Sequence, residues 1–242
     1  DLARWLEAQL NDGRVDGRQV FPPGVIAATH QPLARVERPD RGPISDTAYG
    51  LGWVLGRLHE HAAVYHGGGY TGAHAFVSFD PARRVGVAVL ANEENVSQLL
   101  AALVSGFTYD WWAGEADARA LMDQRATEWR GMVEAYHRRT AEDRARRAER
   151  TWQLTLPLAA YTGTYTNALY GTLVVSAEGD VPVFQSGNLR AVGAPFTEPN
   201  TARVELIPGQ GSVIAFEVTD GRVPSLRYDD VVFERVPDSG GD

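Results

Sequence analysis

One histidine set among glycines is the stretch of this chain best equipped for chemistry: Tyr65-His66-Gly67-Gly68-Gly69-Tyr70-Thr71-Gly72. Glycine costs backbone entropy, so four of them over residues 67–72 need a reason, either a positive φ or a close approach to bare main chain. Inside a strand pattern, what approaches is a ligand or another chain segment. An ionisable ring beside exposed N–H groups is one way to build a site that handles an oxyanion. The same residues also suit a glycine-rich hairpin around a buried, hydrogen-bonded histidine. Local pattern does not separate these two readings.

Other chemistries fit less well. Gly67 and Gly72 have the spacing of a phosphate-binding loop, but Ala73 stands where that loop needs lysine. His-Gly-Gly-Gly resembles the oxyanion loop of α/β-hydrolase lipases and esterases, yet no G-x-S-x-G elbow follows it. His59, His61, His66 and His74 lie close in sequence, but no H-E-x-x-H helix exists, and no metal site is expected. No cofactor is expected either.

Composition narrows the classes. The 242 residues, 44% hydrophobic and 22% charged, suffice for one large or two modest globular domains. A net charge of −8 argues against nucleic acid as a partner. All 23 basic residues are arginine. There is no cysteine, hence no disulfide or thiolate metal site, and no run of about 18 apolar residues that would span a membrane. The opening Asp1-Leu2-Ala3-Arg4-Trp5 lacks an initiator methionine and reads as a mature or excised piece.

The elements that must position His66 follow from periodicity. Leu2, Trp5, Leu6 and Leu10 predict a helix with Asp1 as N-cap. Pro22-Pro23 opens a short helix through Thr29. Residues 30–48 read as a surface loop, and Tyr49–Leu55 as a strand with close approach at its two glycines. Strands are expected at 62–68, 73–80 and 85–91, with short links that favour antiparallel neighbours in a sheet covered on both sides. Asn92 to Trp112 predicts a helix burying Val96, Leu99, Leu100, Leu103, Val104 and Phe107. Residues 115–150 predict a long helix with a seam of Met122, Ala126, Trp129, Val133, Tyr136 and Thr140, packed on its own domain or on a coiled-coil partner. From Leu158 the texture turns to β, with runs at 161–166, 171–176, 181–185, 203–207, 213–218 and 230–236 that suggest a small barrel or sandwich. The tail 237–242 reads as disordered.

Together, Asp1 to Leu6, Tyr49-Gly50-Leu51-Gly52-Trp53, His66 to Gly72 and Phe79-Asp80-Pro81 through Gly86 to Asn92 resemble the serine β-lactamase and penicillin-binding protein superfamily. The likeness is narrowest to class C-like esterases and D-aminopeptidases, in which H-x-G replaces K-T-G on the strand lining the active site. Tyr161-Thr162-Gly163-Thr164-Tyr165 and Tyr170-Gly171-Thr172-Leu173 resemble the lipocalin-like domain that often follows such a hydrolase domain. The resemblance implies an α+β fold: part of a β-lactamase/transpeptidase-like antiparallel sheet with flanking helices, then a small all-β lipocalin-like barrel. It implies a hydrolase part at 1–113, a long helical linker at 114–157, and the barrel at 158–236. It further implies that His66 donates a hydrogen bond to substrate or to a catalytic tyrosine and that the Gly69 N–H is one of two oxyanion donors. Gly68 would let the substrate lie flat, with Gly67, Tyr70, Thr71 and Asn92 as further substrate-binding positions.

The departure from that family is large. Without lysine, the S-x-x-K motif that activates the serine cannot occur. The single Y-x-N, Tyr165-Thr166-Asn167, follows the H-x-G strand instead of preceding it and sits in the lipocalin-like stretch. In the family both motifs lie upstream of the point matching Asp1. The expectation is therefore the C-terminal portion of a longer hydrolase of esters, amides or D-amino-acid peptides, partnered by the N-terminal remainder of its domain. A non-catalytic module binding a ligand or a partner is the alternative. Relatives are often exported, which points to a periplasmic or extracellular place.

Overall fold

The computed structural model describes residues 1–36 and 43–237. The chain divides into two compact units, Asp1–His137 and Arg138–Asp242. The first runs α1 (Leu2–Leu10), a two-stranded ribbon of β1 (Arg14–Val15) and β2 (Arg18–Gln19), and α2 (Val25–Thr29). Next come β3 (Ala34–Arg35), β4 (Ile44–Tyr49), β5 (Val54–Leu58), β6 (His61–Tyr70), β7 (Ala73–Asp80) and β8 (Val85–Ala91), followed by α3 (Ser97–Ala113) and the start of α4 (Ala118–Ala148). β3 to β8 form one antiparallel sheet of six strands in which spatial order equals chain order.

Alternation along the strands gives this sheet two apolar faces. On one, Val64 and Phe79 cluster with Leu6 of α1 and with Trp53. On the other, Tyr65 and Phe76 cluster with Ala101, Ala102 and Tyr109 of α3. Burying a side chain such as Leu6 stabilises the fold by about 1.5–3 kcal/mol, so each helix is held by a few such residues. Leu6 sits so near Gly86 that a Cβ there would meet its Cδ2 at 3.0 Å.

Four expectations need correction. The 30–48 stretch is not simply a loop: β3 lies within it and β4 begins at Ile44, while residues 37–42 lie outside the described residues. Tyr49–Leu55 is the end of β4, a turn over residues 50–53 and the start of β5 rather than one strand. Gly52 takes φ +78, which strand geometry does not allow, and Gly50 N donates to Trp53 O at 2.8 Å. Finally, α3 starts at Ser97 rather than Asn92, because the Glu93 carboxylate accepts from Asn95 N at 2.7 Å and Val96 N at 2.8 Å, holding a turn ahead of the helix. The α3 face turned to the sheet also differs from the expected one. Ser97, Ala101, Ser105 and Tyr109 recur every four residues and are buried, as is the expected Leu103, whereas Leu99, Leu100, Val104 and Phe107 are only half-buried. Small side chains let the helix axis come close to the strands, and the larger ones move to its flanks.

α4 runs through the division between the units. Within the first unit, Trp129 of the expected seam donates from Nε1 to Val96 O at 3.3 Å, and Arg125 reaches Asp110 of α3 at 2.6 Å. Of the two packing modes expected for this helix, that is packing on its own unit.

The second unit is an antiparallel sheet of nine strands. Its strands are β9 (Gly163–Asn167), β10 (Gly171–Glu178), β11 (Val181–Ser186), β12 (Leu189–Val192), β13 (Ala194–Pro195), β14 (Thr201–Ile207), β15 (Gln210–Thr219), β16 (Arg222–Tyr228) and β17 (Val231–Arg235). Its terminal strands are β12 and β13, which are separated in the chain by Gly193 alone, so the sheet curls back on its own start and is nearly closed. Tyr161, Tyr165, Phe184, Ile214, Phe216 and Phe233 fill the interior. β12, β13 and β16 exceed the expected runs. Pro224 argues against a strand at β16, but the register with β15 shifts between Glu217 and Thr219, and that bulge accommodates it. Tyr161 precedes the first strand, at the end of a 3₁₀ turn over Leu158–Ala160. Tyr165 of the rejected Y-x-N is fully buried and donates to Tyr161 O at 2.8 Å. The expected disordered tail lies, apart from Pro237, outside the described residues. No helix among the described residues is long and apolar enough to cross a membrane.

Candidate functional site

The glycine-rich stretch is the far half of β6, and hairpin parity decides where its main chain points. β6 starts after the two-residue turn His59-Glu60, which closes on the pair Leu58↔His61, and ends before Thr71-Gly72, which closes on Tyr70↔Ala73. In a two-residue hairpin the residues flanking the turn exchange both hydrogen bonds. Counting by twos from His61 aims the N–H and C=O of Ala63, Tyr65, Gly67 and Gly69 toward the β5 side. Counting back from Tyr70 aims those of Gly68, His66 and Val64 toward β7. The two counts agree. β5 pairs with β6 only as far as Val54↔Tyr65, so Gly67 and Gly69 face an edge with no ladder partner among the described residues.

The four glycines have different reasons. Gly72 takes φ +82 in the β6–β7 turn. A Cβ on Gly67 would meet Phe76 Cδ2 at 3.1 Å, and one on Gly69 would meet Ala73 O at 3.3 Å and His74 Cδ2 at 3.4 Å. A Cβ on Gly68 would meet nothing within 4 Å, and its φ is not positive. Neither space nor backbone conformation within this unit asks for glycine at position 68.

Beside Gly68 lies an open groove of about 460 Å³, walled by Leu2 and Trp5 of α1 and by Leu51, Gly52 and Trp53, with His66, Gly67, Gly68, Ala75 and Val77 along the strands. The Trp5 and Trp53 rings stack at 6.5 Å. His66 is exposed, and its Nε2 lies 3.0 Å from the Tyr49 hydroxyl. Tyr70 is exposed at the strand end and Thr71 lies in the turn. Asn92 follows β8, which β7 separates from β6, and two residues further on Glu94 Cγ lies 3.6 Å from where a Cβ on Gly69 would sit. Tyr49 is the residue that sequence reasoning passed over. Its signal was a polar aromatic placed just before Gly50-Leu51-Gly52, a turn that returns the chain to β6.

A second polar cluster lies under the other end of β6. His61 Nε2 is 2.6 Å from Asp110 Oδ1, and Arg125 donates to Asp110 Oδ2 at 2.6 Å. Burial pushes the Asp110 carboxyl up, but the bonds from His61 and Arg125 outweigh it and hold the group below its ordinary value. His59, at φ +51 in the turn, has a buried Nε2 without a partner among the described residues. Burial pushes its ring down to about 4, with the Arg125 charge adding to the shift and Asp110 opposing it. This cluster ties β6 to α3 and α4. No group of three or more His, Asp or Glu among the described residues is arranged to hold a metal ion.

Residues 1–104 match the family model described as Beta-lactamase, so this segment is β-lactamase-like. No individual curated sequence matches the chain. Among solved structures, the octameric penicillin-binding protein homologue from Pyrococcus abyssi is similar at 16% identity and a TM-score of 0.37, over 96% of this chain and 45% of that one. A structure of SurE is similar at 17% identity and a TM-score of 0.30, over 90% of this chain and 43% of that one. SurE with D-Leu gives 16% and 0.30, over 91% and 45%. This chain therefore spans less than half the length of each of these structures. The family relation rests on the sequence pattern of residues 1–104.

Proposed function

We propose that the first unit supplies the oxyanion strand of a serine hydrolase acting through an acyl-enzyme on an ester, an amide or a D-amino-acid peptide. The observation that carries this is Gly68: an open side position on a strand whose neighbours Gly67 and Gly69 aim main-chain groups at an unpaired edge. An extended acyl or peptide group laid there would find strand-type hydrogen bonds and no side chain in its way. In this reading the Gly69 N–H is an oxyanion donor, a contact whose loss typically costs about 3–4 kcal/mol of transition-state stabilisation. His66 adds a polar contact, and Leu2, Trp5 and Trp53 give the groove an apolar wall. Gly67, Tyr70 and Thr71 border the same edge.

The nucleophile, its activating lysine and the catalytic tyrosine belong in this proposal to polypeptide outside residues 1–242, since S-x-x-K is absent here. We assign 1–113 to the hydrolase part, 114–157 to a helical connection and 158–236 to a lipocalin-like domain whose filled interior argues against a ligand held inside it. The missing lysine equally suits a second reading, a non-catalytic module that binds a partner or ligand at the same edge. A longer polypeptide carrying S-x-x-K and Y-x-N ahead of residue 1 separates the two. Expected there is hydrolysis of p-nitrophenyl acetate, lowered about 100-fold or more in kcat/KM by Gly68→Val at an unchanged melting temperature. Unchanged turnover in Gly68→Val, or burst kinetics from residues 1–242 alone, overturns the assignment.

A further inference from the structure

We propose that Tyr49 is a positioning residue that fixes the tautomer of His66, making the ring a hydrogen-bond donor through Nδ1 instead of a base through Nε2. The inference rests on the proposed hydrolase site for its purpose, although the tautomer itself does not. Tyr49 OH and His66 Nε2 lie 3.0 Å apart, with the rings 6.0 Å apart at 70°. A neutral imidazole has one N–H, and the partner of one nitrogen determines what the other presents. The imidazole lone pair is a better acceptor than a phenolic oxygen, whose lone pair is delocalised into its ring. Tyr49 O–H therefore donates and Nε2 accepts, which leaves the proton on Nδ1.

Tyr49 is placed to impose this. It pairs with Ala34 of β3 on one side and Val54 of β5 on the other. Leu33 N donates to its carbonyl at 3.0 Å, and Leu51 N donates to Thr29 O at 3.0 Å just beyond it. The tyrosine thus stands on a doubly paired strand end, whereas His66 stands on the overhanging part of β6. With Nε2 occupied, the histidine orients a substrate oxygen and takes no proton from a nucleophile.

The test is the ¹⁵N spectrum of histidine-labelled protein, residues 1–242, at about pH 9, where an ordinary imidazole is neutral. Expected for His66 is the Nδ1–H pattern, opposite to the Nε2–H preference of free histidine. Tyr49→Phe should shift the ratio toward Nε2–H by roughly five-fold, the bias that one ordinary net hydrogen bond supplies. An Nε2–H pattern in the unaltered protein overturns the proposal whether or not the variant folds. So does an Nδ1–H pattern that Tyr49→Phe leaves unchanged. Because no substrate is present, the result stands apart from the fate of the hydrolase reading, which the turnover of Gly68→Val decides.

Discussion

The two units treat strand edges in opposite ways. In the second, the terminal strands β12 and β13 are consecutive in the chain, and Gly193 between them donates to Pro182 O at 2.8 Å, so the sheet returns to where it began. In the first, β6 runs past the end of β5 and leaves Gly67 and Gly69 facing an edge that is unpaired among the described residues. An unpaired edge is a liability for solubility and an opportunity for recognition. The closed unit spends its aromatic side chains on a filled interior. The open one places Trp5, Trp53 and His66 along a groove. The proposed function uses the unit whose sheet is left incomplete.

The strongest challenge to that contrast is to separate the parts. Cutting after Ala113 takes Arg125 away from the buried Asp110 and Trp129 away from Val96. Asp110 then keeps only His61, and losing a charged hydrogen-bond partner costs about 1.5–3 kcal/mol on top of the apolar surface that α4 uncovers, a large share of a typical folding stability of about 5–15 kcal/mol. Residues 1–113 should therefore give no soluble monomer with a cooperative melt, whereas Arg138–Asp242 should give one. A cooperative monomeric melt from 1–113 breaks the comparison.

Acid should then distinguish the units by a smaller margin. The His59 ring takes up a proton near its ordinary 6.5 when unfolded, but only at about 4 in the fold. Between those values the unfolded state holds more protons, so the first unit loses stability as the pH falls through that window. For a half-buried ring screened by solvent this is on the order of 1–2 kcal/mol. Asp110, held low by His61 and Arg125, keeps its contribution above the ordinary carboxylate value and loses it only at still lower pH. Hydrogen exchange followed peptide by peptide should show residues 54–110 opening faster at pH 5 than at pH 7, with little change across 163–235. His59→Asn tolerates the left-handed backbone and does not titrate, so it should flatten the difference. An unchanged difference in that variant removes His59 as its cause.

Sharpest is the contrast within one strand. Gly67→Val drives a side chain into Phe76 and should cost about 1–3 kcal/mol by overpacking, read from denaturant midpoints. Gly68→Val enters open space and should stay within about 0.5 kcal/mol of the parent. Equal losses in the two variants mean that position 68 is packed after all.

Legibility followed the range of the interactions involved. β7 and β8 begin and end where their apolar runs and the Asp80-Pro81 break place them. α3 was visible as a helix, but its buried face was misread because hydrophobicity ranks Leu99 and Phe107 above Ser105. Close packing against a sheet selects the small residue instead. β12 and β16 escaped notice because short or proline-bearing strands are stabilised by their neighbours and carry little local signal. The Asp110–Arg125 pair joins two helices, and no periodicity announces a contact between residues that far apart in sequence.

By itself the sequence determined that residues 67–72 need explaining, that lysine-based activation is impossible within residues 1–242, and that a mixed fold gives way to a β-rich one near residue 158. Those conclusions follow from residue type and short-range periodicity, which no fold can alter. Tertiary structure decided which glycine borders open space and which is closely packed, because that depends on Phe76 and His74 in the neighbouring strand. It also decided that Tyr49 meets His66, since only the turn at Gly50–Trp53 and the β5 pairing bring the two residues within a hydrogen bond.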